Sequence, residues 1–199
     1  MERTRIHKLA TVGCLAALSS VLMLLDFPIG LVPGFIKFDF SDVPALIAAF
    51  AVGPVWGCAV ALIKNLINVI VSQSAGIGEL ANFVISVSLV LPAGAIYKKL
   101  SSKTNSKAVV LACIAGGVTM TVMSIPMNYF VVFPFYSVAY GTAMDSIIMA
   151  FTKLYPFVNG LLDTVIVIMA PFNMLKAAVN CTLAALVFKR IIPIFKRAV

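Results

Sequence analysis

Two polar clusters interrupt an otherwise apolar chain. Ile36 to Pro54 reads IKFDFSDVPALIAAFAVGP and places Asp39, Asp42, a proline and aromatic side chains between two apolar stretches. Near the other end, Pro171 to Lys176 reads PFNMLK, an amide and an ammonium one turn apart inside an apolar run. Polar groups at membrane depth cost several kcal/mol unless they are paired or line a cavity. Both clusters therefore read as the wall of a small-molecule pocket. Asn173 and Lys176 are three positions apart and face one side of a helix. An amide offers donor and acceptor together, and an ammonium offers up to three donors. That set suits a neutral heterocycle with imide-like edges, or a polyol. The competing reading is snorkelling by Lys176 and capping by Asn173. Asn128 follows Pro126, and with Ser124 and Tyr129 it either faces the same cavity or satisfies the carbonyl that the proline frees.

The loop from Phe35 to Asp42 carries Phe35, Phe38 and Phe40 beside Lys37, Asp39 and Asp42, flanked by glycine and proline. It reads as a lid over the pocket, or as an ordinary loop whose two acids cap the next helix. Two carboxylates without further ligands do not make a metal site, and none is expected. Lys64, Asn65 and Asn68 fall within one apolar run, and Glu79 and Asn82 open the next. A buried Lys64 needs a carboxylate, with Asp42, Glu79 and Asp163 as candidates. A structural network is favoured there over ligand contact.

The elements that position these groups follow from composition. Of 199 residues, 62% are hydrophobic and 11% charged, with a mean hydropathy of +1.09. Such a chain is an all-α integral membrane protein. Its long, unalternating apolar runs exclude a β-barrel. The expected architecture is a single membrane domain, residues 1–199, forming a compact bundle of six transmembrane helices. The spans fall near residues 5–25, 42–53, 55–72, 79–98, 107–129 and 171–192. The second is too short to cross upright. Pro171 reads as the first residue of the last helix. Residues 130–170 form an extracellular segment with two helical pieces, near 143–152 and 157–169. Leu9 to Leu25 is too long for a signal-peptide core and reads as a retained first span.

Eleven of the 15 basic residues fall in three groups: Arg3, Arg5 and Lys8; Lys98, Lys99, Lys103 and Lys107; and Lys189, Arg190, Lys196 and Arg197. Six of the seven acids lie elsewhere. The positive-inside bias puts both termini and the polar connection from Ser101 to Lys107 in the cytoplasm of a multi-pass plasma-membrane protein. The net charge of +8 then needs no nucleic acid. Cys14, Cys58, Cys113 and Cys181 lie in apolar runs at no metal-like spacing, and read as small buried residues. Gly13 and Ala17, extended by Ala10 and Ser20, form a small-residue strip on which another helix can pack closely, inside the bundle or outside it. A phosphate-binding G-x-x-x-x-G-K-[ST] loop, a G-x-S-x-G elbow and any histidine other than His7 are all missing. An enzyme is therefore not expected.

The blocks FDFSDVPALIAAFAVGP, LIKNLINVIV, GIGELANF and APFNMLK together resemble the riboflavin-specific S components of energy-coupling factor (ECF) transporters, over nearly the whole chain. The resemblance implies a six-helix subunit that binds riboflavin from outside. It would associate with a transmembrane coupling subunit and two ATPases that power release inward. Riboflavin is then the transported ligand, and no cofactor is implied. By motif, Asn128, Asn173 and Lys176 would hydrogen-bond it, while Phe38 and Asp39 approach mainly through backbone. Gly13 and Ala17 occupy the positions of an Ala-xxx-Ala motif that meets the coupling subunit, with glycine in place of the first alanine. The alternatives are an S component for another vitamin, or an ion-coupled secondary transporter working through Asp163 and Lys64.

Overall fold

A computed structural model describes residues 2–72, 74, 76–100, 106–139, 141 and 143–198. Nine α-helical segments are found among them: α1 Glu2–Leu24, α2 Asp42–Ala51, α3 Pro54–Asn68, α4 Ile77–Leu100, α5 Ser106–Met127, α6 Phe133–Ala139, α7 Met144–Thr152, α8 Leu161–Asp163 and α9 Ala170–Ala198. Five stretches are long and apolar enough to cross a membrane: Arg5–Leu24, Pro54–Val71, Ile77–Leu100, Lys107–Val138 and Leu161–Arg190. The ten-residue α2 is the shorter apolar helix expected between the first and second of them. The expected polar connection falls mostly on residues 101–105, which lie outside the described residues, as does Tyr140.

Two boundaries differ from expectation. The long helix that starts at Lys107 does not stop at residue 129. It continues through a π-helical turn, Asn128–Val132, into α6. Nor does the last helix begin at Pro171: α8 leads through a second π-helical turn, Thr164–Met169, into α9. Proline normally breaks a helix because it donates no hydrogen bond and crowds the preceding turn. A π-turn carries one extra residue and re-registers the ladder. Here each such turn lies next to a proline, Pro126 and Pro134 around the first and Pro171 after the second. The helix therefore continues through what looks like a stop signal. Of the two outer pieces, α7 lies where expected, whereas residues 161–169 belong to the last long helix.

The short α2 is the bundle's centre. It begins at the acidic end of the 36–54 block and ends where Gly53, at φ 137, turns the chain into Pro54. Asp42 to Phe50 are all buried, and α2 packs against α1, α3, α4 and α9. The main core gathers around it with Leu46, Val60, Leu89, Val90, Ala112 and Ala184. Helix association in lipid relies on close packing of small residues, which two glycines show. A Cβ on Gly57 would lie 2.6 Å from that of Ala49, and one on Gly116 would lie 2.5 Å from the Leu89 carbonyl oxygen. A second, aromatic-rich cluster (Phe38, Phe133, Phe151, Phe172) caps one pole.

On α1 the sides separate cleanly. Val12, Ala16, Ser19 and Met23 face inward, whereas Leu9, Gly13, Ala17, Leu18 and Val21 are exposed. Ser20 is buried and bonds the Ala16 carbonyl, so it leaves the outer strip. Gly116→Ala should destabilise the bundle by about 1–3 kcal/mol through overpacking. Gly13→Ala, with nothing within 4 Å of the new methyl, should be neutral or slightly stabilising through helix propensity. Thermal denaturation in detergent checks both.

Candidate ligand-binding site

The ends of α1, α3 and α5 and the start of α4 meet at one pole. Arg5, Lys8, Lys98, Lys99, Lys107, Lys189 and Arg190 lie on the opposite ends of the long helices. At the first pole the loop after α1 folds over the bundle. Phe27 and Phe38 pair through both backbone bonds, at 3.0 and 2.8 Å. The Phe38 ring packs against Phe27, Phe40 and Phe172. The Phe35 ring meets Tyr136 and Phe151 edge-on, and the Tyr155 hydroxyl donates to the Leu31 carbonyl at 3.0 Å. Beneath the loop lies a cavity of about 750 Å³, within the range of small-molecule sites.

Three of the residues singled out from sequence come together in its lining, Asn128, Asn173 and Lys176. Phe35, Phe133, Tyr136 and Phe172 supply apolar wall. Asn128 sits at the first π-turn, lines the cavity, and donates Nδ2 to the Ser124 carbonyl at 2.7 Å, which is not the Val122 carbonyl that Pro126 frees. Asn173 follows the second π-turn and donates Nδ2 to the Met169 carbonyl at 2.9 Å. Each bond uses one of the two amide hydrogens and anchors the side chain's orientation. Lys176 does not snorkel to a surface. Its ammonium donates to Asp39 Oδ2 at 2.7 Å, and both side chains are buried.

Asp39 lines the cavity and belongs to a larger network. Its Oδ1 accepts from the Ser41 backbone N–H, at 2.9 Å, and from the Ser41 hydroxyl. That hydroxyl in turn accepts from Lys64 Nζ at 2.7 Å. Lys64 bonds Asp42 Oδ1 at 2.6 Å with both side chains wholly buried, and Ser86 donates to the same oxygen at 2.6 Å. Burial alone would push the Asp39 carboxyl up. The Lys176 and Lys64 charges, with the hydrogen bonds from Lys176 and Ser41, outweigh it and hold the group at about 2. Asp39 is therefore ionised at neutral pH. Asp39 and Asp42 are ion-pair partners and not helix caps: Ser41 stands at the N-cap of α2 without a side-chain capping bond. Of the three candidate partners for Lys64 it is Asp42. Asp163 is exposed and accepts weakly, at 3.3 Å, from the Asn159 backbone N–H.

Phe38 behaves differently from its neighbours. It is buried in the aromatic cluster outside the cavity lining, and both its backbone groups are engaged by Phe27. Sequence reasoning missed three residues. Asn180 donates Nδ2 to the Asp39 carbonyl at 3.2 Å and to that of Lys176 at 2.9 Å. Ser19 donates to the Ser41 carbonyl at 2.5 Å, and Ser86 donates to the Asp42 oxygen that Lys64 also bonds. Helical spacing carried the signal for two of them: Asn180 is four residues after Lys176, and Ser86 four after Asn82.

Helices that span a bilayer, with a walled, part-aromatic, part-polar cavity at one pole, define a multi-pass membrane protein that holds a small molecule. The family of ECF transporter substrate-specific components matches residues 7–188, and the chain belongs to that family. It is 34% identical over 191 residues to the riboflavin transporter RibU of Staphylococcus aureus (strain TCH60), covering 96% of this chain and 93% of that protein. It is 33% identical over 193 residues to the riboflavin transporter FmnP of Bacillus subtilis (strain 168), covering 95% and 94%. A solved structure of the S component of a bacterial ECF transporter superposes with a TM-score of 0.76 at 32% identity, over 96% of this chain and 99% of that one.

Removing one partner of a buried ion pair leaves an uncompensated charge. Lys64→Met should therefore cost about 3–5 kcal/mol, and combining it with Asp42→Leu should recover much of that loss. Thermal denaturation of the single and double variants in detergent provides the comparison.

Proposed function

We propose that this chain is the riboflavin-binding subunit of an ECF importer. The observation that carries the reading is the convergence of Asn128, Asn173 and Lys176 on one aromatic-walled cavity. Its near-full-length relatives are named riboflavin transporters. The flavin ring system needs apolar walls, and its imide-like edge needs donors and an acceptor side by side. An anchored amide retains a second N–H and an oxygen for that edge, and an ammonium paired once retains two hydrogens. Asp39 holds Lys176 in place through its carboxylate, and Phe38 supports the loop segment that brings Asp39 into the cavity lining.

The segregation of basic residues at the pole away from the cavity supports a single domain crossing six times. Both termini would lie in the cytoplasm and the cavity would open outward. The chain would bind riboflavin and be driven by a transmembrane coupling subunit with two ATPases. The exposed strip around Gly13 and Ala17 is the proposed contact with the coupling subunit, because small exposed residues let a partner helix approach closely.

Titrating the detergent-purified chain with riboflavin should quench flavin fluorescence stoichiometrically. No quenching by monodisperse, folded protein would overturn the reading. Asn173→Ala and Lys176→Ala should each weaken binding by about 1–3 kcal/mol through lost buried hydrogen bonds. Gly13→Leu should leave binding intact while abolishing uptake in cells that contain the partner subunits, and loss of both together would remove Gly13 from the interface.

A further inference from the structure

Two thiols face each other across the seam between α5 and α9. Cys113 Sγ donates to the Cys181 carbonyl at 4.0 Å, and Cys181 Sγ donates to the Cys113 carbonyl at 3.8 Å. Such an exchange requires the two residues to stand level on helices that run in opposite directions. One turn along the same seam, four residues later on α5 and four earlier on α9, the helices meet as Gly117 and Ala177. A Cβ on Gly117 would lie 3.6 Å from the Ala177 Cβ. That separation falls inside the range of about 3.5–4.5 Å found between the Cβ atoms of a disulfide. The seam is therefore narrow enough to be bridged without moving either helix.

The two cysteines differ in access. Cys113 is partly exposed, between the lipid-facing Val110 and Ile114, whereas Cys181 is buried behind it at 6%. An apolar oxidant dissolved in the bilayer meets Cys113 first. Oxidation of a solitary thiol runs through the sulfenic acid to sulfinic and sulfonic acids, which thiol reductants do not reverse. Either acid would fix an anion inside the bundle, where a charge without a partner is costly. A second thiol within reach stops the sequence at a neutral, reducible disulfide.

We propose that Cys113 and Cys181 form an oxidisable dithiol, in which Cys113 takes up a lipid-phase hydroperoxide and Cys181 resolves the product as an inter-helix disulfide. The Cys113 sulfur attacks the terminal peroxide oxygen, the O–O bond breaks, and the alcohol leaves with the proton of the thiol. The Cys181 sulfur then attacks the sulfenic sulfur of Cys113, the S–O bond breaks, and water leaves with the second thiol proton. The hydroperoxide is reduced by two electrons, and the pair of thiols is oxidised by two. The bridge staples α5, which carries Asn128, to α9, which carries Asn173 and Lys176, and adds no charge beneath the cavity. Because it joins positions 68 apart in the chain, it also restricts the unfolded state and stabilises the fold.

The test uses the full chain in detergent with Cys14→Ser and Cys58→Ala, so that only this pair can link, treated with cumene hydroperoxide. Peptide mapping without reductant should recover the Cys113 and Cys181 peptides joined, and a reductant should separate them. The treated chain should melt at a higher temperature than an identically treated chain with Cys113→Ala added, which shares any methionine oxidation. In that variant the buried Cys181 should stay reduced. Adding Cys181→Ala instead removes the resolving thiol. Cys113 should then be recovered as sulfinic and sulfonic acids, with a lowered melting temperature that a reductant does not restore. Unjoined peptides in the treated parent chain, whether the thiols are untouched or carried on to acids, would overturn the proposal. So would a Cys181→Ala chain that resists the oxidant as well as its parent does. No flavin enters these measurements, so the riboflavin reading stands or falls on its own titration.

Discussion

The structure hangs on a run of four residues, Asp39 to Asp42, that holds two buried lysines. Asp39 takes Lys176 from α9, Asp42 takes Lys64 from α3, and the Ser41 hydroxyl stands between the two pairs. Charges removed from water are costly, and such pairs persist when their remaining hydrogen-bonding capacity is met as well. Ser86 from α4, Ser19 from α1 and Asn180 from α9 help meet it. Contacts from four helices thus converge on one short segment. Packing among apolar helices in lipid gains little from the hydrophobic effect. A buried polar knot of this kind specifies which helix sits beside which.

The same knot forms the floor of the cavity. Asp39 and Lys176 belong both to the network and to the lining, so the geometry offered to a ligand is set by the contacts that organise the bundle. The π-turns add to this. Each brings an asparagine to the cavity and lets that asparagine bond a carbonyl of the preceding turn. In both long helices the departure from regular α geometry coincides with a residue of the candidate site, as is common for π-bulges.

Much of this was legible in the sequence because polar residues are scarce there. In a chain this apolar, Asn128, Asn173, Lys176, Lys64 and the two aspartates of the loop stand out, and the first three do share one cavity. The helical class and the short second helix followed from composition and from the Gly53-Pro54 break. The helix boundaries between residues 130 and 170 did not. Pro171 reads as a start signal, whereas a preceding π-turn lets the helix run through it. The pairing of Lys64 had three candidates, and only the tertiary arrangement of α2 against α3 decides among them. Phe38 was placed at the ligand by resemblance, but its backbone is engaged by Phe27, a pairing that strand-like contacts inside a loop do not advertise in sequence.

The brevity of α2 has a consequence for how the protein is made. Ten residues, opening on Asp42 and preceded by Asp39, fall well short of the length needed to cross the bilayer. The lysine that neutralises Asp39 lies 137 residues further along the chain. When α2 leaves the ribosome, therefore, one of its two counter-ions has not been made, and nearly two-thirds of the polypeptide must follow before it is. The ion pair that anchors the start of the central helix can therefore close only after the first turns of α9 have been made. Truncation anywhere before residue 176 leaves Asp39 with an unanswered charge.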